Sequence, residues 1–214
     1  MTGIAVSFFL YCFCFLLGSV PFGLLIARVF SVNNLRIHGS GNIGATNVAR
    51  VVGFWPAGFL TFVLDTSKGI VPALLLSEGG VSLLSRFFWA HETVSVGASP
   101  FQSWLAGLLA VLGHCYSPWL RFRGGKGVAT GFGVVLVLSP ASAFFGLLAF
   151  GMVFWLKKIA SLASIAGVIL IGISDFVIHP LGAHHWVSSA ILLLILIRHE
   201  KNIDALLENK ERVF

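Results

Sequence analysis

The chain has 214 residues, 57% of them hydrophobic and 10% charged, and a mean hydropathy of +0.95. That composition excludes an ordinary soluble domain and describes a polytopic membrane protein. The net charge of +6 belongs with the membrane and not with nucleic acid, because the basic residues are scattered between apolar runs.

The first apolar run, Ile4 to about Phe30, has no positive segment before it and is too long for the core of a signal peptide. A retained helix is expected over residues 4–29, kinked at Gly18-Ser-Val-Pro21. A polar segment, 31–50, separates it from a second helix over 53–76, which carries Asp65 and Lys68 inside it. Residues 77–100 read as a polar loop with Glu78, Arg86, His91 and Glu92. A third helix over 101–120 leads into a basic, glycine-rich stretch, Arg121-Phe-Arg-Gly-Gly-Lys-Gly-Val-Ala-Thr130. The next apolar run, 128–156, exceeds one span of about 20 residues and contains the turn signal Ser139-Pro140. It is either one overlong helix or a hairpin of two short ones. The hairpin collects Arg36, Arg50, Arg121, Arg123, Lys126, Lys157, Lys158, Arg198 and Lys201 on one face and leaves Arg86 on the other, which the positive-inside rule favours. Helices over 159–178 and 186–197 follow.

The expected fold is therefore all-α and polytopic, one domain over 1–214 with seven transmembrane helices. The fourth, fifth and seventh are short. The N-terminus is outside, and the C-terminus and glycine-rich loops are cytoplasmic. The tail, 202–214, puts Ile203, Leu206 and Leu207 on one face and reads as an interfacial helix with no chemistry assigned. Cys12, Cys14 and Cys115 lack metal-site spacing and read as free buried thiols. No internal repeat is visible, which argues against a transporter made of duplicated halves.

On this topology every dense polar cluster meets on the cytoplasmic face. At 121–130, glycines permit close backbone approach, and a helix starting near Gly127 would direct free amides and its positive end to the same place. Lys126 adds a point charge, and Arg121 and Arg123 add forked donors. The stretch is a phosphate cradle or a basic loop anchored on anionic lipid. It is no Walker A loop, since Lys126 precedes Gly127 rather than Ser or Thr. Gly39-Ser-Gly-Asn-Ile-Gly-Ala-Thr-Asn-Val-Ala-Arg50 contains Gly-x-Gly-x-x-Gly but lacks the preceding strand of a dinucleotide site. Its Ser40, Gly41, Asn42, Thr46, Asn47 and Arg50 suit either a phosphate or polyol site or a capped turn. Asp65 and Lys68, three apart, are a functional or a self-compensating pair inside the membrane. His114 could touch substrate, though capping is the simpler role. Ser161 fits an N-cap or a substrate contact. His199 and Asn202, three apart, share a helix face. His199-Glu-Lys-Asn-Ile-Asp204 spells His-x-x-x-x-Asp, but five residues turn the two side chains about 140° apart on a continuous helix.

Taken together and in this order, these motifs, with Gly113-His114 and Ser161-Leu-Ala-Ser164, resemble the bacterial acyl-phosphate:glycerol-3-phosphate acyltransferase (PlsY) family over nearly the whole chain. The resemblance implies an inner-membrane enzyme of phospholipid biosynthesis that moves an acyl chain from acyl phosphate to glycerol 3-phosphate. It implies no metal or cofactor, no nucleic-acid partner, and a functional link to the enzyme that makes acyl phosphate. By resemblance, Lys126 and Arg50 hold phosphate with Ser40, the backbone of Gly124, Gly125 and Gly127, and Thr130. Ser161, His199 and Asn202 orient glycerol 3-phosphate. The general base is His199 or a substrate phosphate, the latter favoured. The competing readings are a transporter of a phosphorylated solute and an acyl-CoA-dependent His-x-x-x-x-Asp acyltransferase.

Overall fold

The computed structural model describes residues 3–88 and 99–214, and these form helices, turns and loops with no strand among the described residues. The first apolar run is broken into α1 (Gly3–Ser19) and α2 (Phe22–Val29). Pro21 sits at the break, where its missing donor and ring interrupt the ladder. After the polar segment come α3 (Ala45–Val51), a short turn at Phe54–Gly58, and α4 (Phe59–Leu75). The polar loop expected over 77–100 is instead helical in its first half, α5 (Glu78–Phe88). Ser77 Oγ accepts from the Gly80 N–H at 3.2 Å, and such a cap starts a helix that Gly79-Gly80 would otherwise discourage. His91 and Glu92 lie outside the described residues.

α6 (Pro100–Cys115) starts on Ser99, which accepts from the Gln102 N–H, with proline at the first helical position. The long apolar run is a hairpin: α7 (Val128–Leu138) and α8 (Pro140–Lys157), broken at Ser139. Then come α9 (Ala160–Ile178), α10 (His184–Ile197) and a short α11 (Glu200–Leu207). α8, at 18 residues, is longer than the short helix expected there.

α1 packs on α6, α4 on α6 and α7, and α8 chiefly on α9, while α10 touches α6, α7 and α9. The α4–α7 contact is backbone to backbone. A Cβ on Gly69 would run into the Thr130 carbonyl, and one on Gly133 into that of Thr66. Small residues at such crossings permit the close approach that drives helix association in lipid. Among the described residues four helical stretches are long and apolar enough to cross a membrane: Ala5–Val29, Phe54–Leu75, Pro140–Lys157 and Ala160–Ile178; α7 and α10 are shorter apolar helices. Their outward faces carry Phe8, Phe9, Leu147, Met152, Ile173 and Val177, all exposed. Cys12 is exposed among them rather than buried, whereas Cys14 and Cys115 are buried.

The chain alternates between two ends of this bundle. The glycine-rich loops, the α8–α9 joint and α11 share one end. The other end is less bare of polar groups than expected. There Ser139 Oγ donates to Ser142 Oγ at 2.7 Å and lies 2.9 Å from His179 Nε2, with buried Asp175 one turn away. This cluster pins the α7–α8 hairpin to the end of α9.

Candidate active site

The basic stretch folds back on the end of α6. The Gly124 and Gly125 N–H groups donate to the Cys115 and His114 carbonyls, both at 3.0 Å. Arg198 donates to the carbonyls of the same two glycines, each at 3.1 Å. These two amides are therefore spent on the fold and are not offered to an anion, contrary to the expected cradle. Thr130 is also drawn away, its hydroxyl donating to the Asp65 carbonyl at 2.9 Å inside the α4–α7 contact. What the stretch does supply is Lys126 and the start of α7. Gly127, at φ +84°, turns the chain so that α7 begins at Val128. Val128 and Ala129, in the first turn with its unpaired amides, line a cleft together with Lys126.

The second glycine-rich loop is organised by Asn47. Its Oδ1 accepts from the Ser40 N–H at 2.7 Å, and its Nδ2 donates to the His38 and Asn42 carbonyls at 3.2 and 2.8 Å. Asn42 Oδ1 in turn accepts from the Gly44 N–H at 3.2 Å. Gly39 and Gly41 take positive φ, so the Gly-x-Gly-x-x-Gly pattern serves a tight turn. Gly41 does not reach the cleft, but Ser40, Asn42, Thr46, Asn47 and Arg50 line it.

The remaining wall comes from α9 and the chain after α10. Ser161 lies inside α9, whose N-cap is Ile159 with no side-chain bond, so the capping role falls away. Its buried hydroxyl has no hydrogen-bond partner and lines the cleft. His199 is not on one continuous helix with Asn202 and Asp204. α10 stops at Ile197, and His199 is the N-cap residue of α11. His199 and Asn202 nevertheless both line the cleft, while Asp204 is exposed and outside its lining. His199 Nδ1 lies 2.8 Å from the Ile195 carbonyl. A carbonyl can only accept, so Nδ1 carries the proton and Nε2 is left with a lone pair.

The tail supplies a wall that the sequence did not announce. After α11 the chain turns back, and the Phe214 N–H donates to the Lys158 carbonyl at 2.7 Å. Glu211 and Arg212 line the cleft. Asn202 Nδ2 donates to Glu211 Oε2 at 2.7 Å, and the Arg50 guanidinium lies 5.4 Å from the centre of the Phe214 ring.

The polar cleft has a volume of about 160 Å³. Burial lowers Lys126 to a pKa of about 8, with Arg198 and Arg50 pushing the same way and Glu211 opposing. Burial and the Lys126 charge lower His199 to about 4, so it is neutral near pH 7. Asp65 and His114 close the bottom. Asp65 pairs with Lys68 at 2.7 Å, and Lys68 Nζ also donates to the Val20 carbonyl at 2.8 Å and lies 3.0 Å from His114 Nδ1. Lys68 and Asp65 are 1% and 2% exposed, a compensated pair beneath the site. Among the described residues no three His, Cys, Asp or Glu side chains converge on a metal position. The cleft opens into an apolar groove of about 430 Å³ lined by α4, α7, α8, α9 and α10. Ala45, Thr46, Phe62, Phe150, Ala160 and Ser164 line both.

The glycerol-3-phosphate acyltransferase family model matches residues 8–209. The chain belongs to this family. It is an acyltransferase of the integral-membrane PlsY type. A glycerol-3-phosphate acyltransferase of Aquifex aeolicus is 39% identical over 209 residues, 97% of this chain and 99% of that one. One of Anaeromyxobacter dehalogenans (strain 2CP-C) is 38% identical over 203 residues, 92% of each. The crystal structure of PlsY (YgiH) in its glycerol 3-phosphate form superposes with a TM-score of 0.81 at 39% identity, covering 98% of this chain and 96% of that one. The lysophosphatidic acid form gives 0.79 at 38% identity, covering 98% and 95%.

Proposed function

We propose that this chain transfers an acyl group from acyl phosphate to glycerol 3-phosphate, giving 1-acylglycerol 3-phosphate and phosphate. The observation that carries the reading is the continuity of a cationic cleft with an apolar groove through shared lining residues. An acyl phosphate has that shape: a charged head on an alkyl chain. Lys126 and Arg50 hold the phosphate from half-buried positions in the cleft, where fixed charges act more strongly than in open water. The amides at the start of α7 and the Ser40 hydroxyl assist. Ser161, Asn202 and His199 orient the second substrate, with the His199 Nε2 lone pair free to accept a hydrogen bond from it. The attacking hydroxyl oxygen bonds to the acyl carbon, the bond from that carbon to the phosphate oxygen breaks, and phosphate leaves. A base at pKa about 4 is a poor sink for the proton near pH 7, whereas a phosphate with second pKa near 6 is a better one. The leaving phosphate therefore takes the proton.

The chain is read as one domain of seven crossings in a bacterial inner membrane, N-terminus outside and the cleft facing the cytosol. The clustering of basic residues at the cleft end supports this orientation. Acyl phosphate is supplied by a separate enzyme. The test is purified protein with glycerol 3-phosphate and either palmitoyl phosphate or palmitoyl-CoA. Turnover with the phosphate alone is expected, and turnover with the CoA ester alone would overturn the donor assignment.

A further inference from the structure

Resting on the acyl-transfer reading, we infer that Ile171 and Gly146 form the floor of the apolar groove and set the length of acyl chain the enzyme accepts. The groove starts at the polar cleft beside Ala160 and Val128 and follows one face of α9 through Ser164, Gly167 and Val168 to Ile171. Eleven residues of helix separate its two ends on α9, about 16 Å. Along α8 it runs from Phe154 to Gly146, and along α7 from Val128 to Val135. At that depth the space ends on solid packing. Val135, Ala143, Ile171 and Val187 are buried in one apolar cluster. Beyond them lie Ser139, Ser142 and Asp175, polar groups that an alkyl chain cannot replace without cost.

An extended chain of carbon–carbon bonds near 1.5 Å advances roughly 1.3 Å per atom. The groove thus holds about 12 to 13 carbons below the cleft. With the reacting carbonyl in the cleft itself, an acyl chain of about 14 to 16 carbons fills it. The floor is close-fitting. A methyl group at Gly146 would run into Ile171 Cγ1 and would meet Ile171 Cδ1 at 2.7 Å and the Gly167 carbonyl oxygen at 3.1 Å. Of these neighbours the Ile171 side chain, rather than the Gly167 backbone, is the one that must yield. Ile171→Ala deepens the groove; Gly146→Ala pushes Ile171 into it.

The rim is open, with Phe59, Phe62 and Leu147 partly exposed. The rival outcome is that long chains leave sideways into lipid and their length goes unmeasured. The experiment is kcat/KM for saturated acyl phosphates of 12, 14, 16 and 18 carbons with wild type, Ile171→Ala and Gly146→Ala, each in the same detergent. Wild type is expected to lose roughly tenfold beyond the chain that fills the groove. Ile171→Ala is expected to move that break about two carbons longer. Gly146→Ala should move it about two carbons shorter. Ile171→Ala introduces no new atoms, so it keeps the test decisive if Gly146→Ala does not fold. Turnover with the same length profile in wild type and Ile171→Ala overturns the ruler alone. No turnover of folded wild type with any acyl phosphate overturns the acyl-transfer reading and the ruler with it.

Discussion

On the proposed reading, Lys126 concentrates the chemistry of the cleft. Lys126→Ala is expected to lower kcat/KM at least about a hundredfold, the scale of one donor in a preorganised anion site, with little change in folded yield. Initial rates on detergent-purified protein check it, and near-normal turnover would sink the phosphate assignment. The same side chain sets a pH limit. Its pKa in the free cleft is about 8, so its charge is present below that and disappears as pH rises through it. kcat/KM should therefore fall above about pH 8. A bound phosphate favours the charged amine, so kcat should fall only at higher pH. A pH–rate profile in which both fall together would contradict this. Ser161 tests the other substrate. Its hydroxyl has no partner to lose, so Ser161→Ala should leave thermal stability unchanged and raise KM for glycerol 3-phosphate about tenfold, one hydrogen bond to a charged ligand.

Among the elements, the tail departs most from expectation. It reads as an amphipathic helix, yet its last residues fold back and bring Glu211 into the cleft that Lys126 and Arg50 line. Glu211→Gln keeps an oxygen to accept from Asn202 and removes the negative charge. KM for glycerol 3-phosphate should fall a few-fold with kcat little changed, since a fixed carboxylate no longer competes with the incoming phosphate. An unchanged KM would assign Glu211 a purely structural role. The break between α10 and α11 has a similar lesson. A continuous helix would turn His199 and Asp204 apart, but the helix is interrupted at His199. Asp204 is still outside the cleft, because α11 turns it to solvent. His199→Ala is expected to cripple turnover and Asp204→Ala to be close to neutral. An inactive but folded Asp204→Ala protein would revive the His-x-x-x-x-Asp mechanism.

For the whole molecule, the proposed orientation predicts which end of the bundle is reached from which side. In a background without native cysteines, Ala141→Cys, exposed at the α7–α8 turn, should be labelled from outside the cell. Lys157→Cys, exposed at the cleft end, should be protected until the membrane is opened. The reverse pattern would invert the topology and move the cleft to the outer face.

Much of this protein was legible without coordinates because its strongest signals are local. Hydropathy marks the apolar runs, proline marks the breaks at Pro21 and Pro140, and glycine and asparagine mark the turn at 39–47. The order of these motifs was enough to name the family. The tertiary structure decided what depends on partners distant in sequence. Gly124 and Gly125 were legible as flexible, but only the fold shows their amides spent on α6 and their carbonyls on Arg198. Thr130 carries the same hydroxyl as Ser161. One is used in a helix contact and the other is left open to the cleft, a difference set by the backbone that lies opposite each. Glu211 lies 85 residues after Lys126, and no local pattern links a tail carboxylate to a cleft that the chain forms only by folding back on itself.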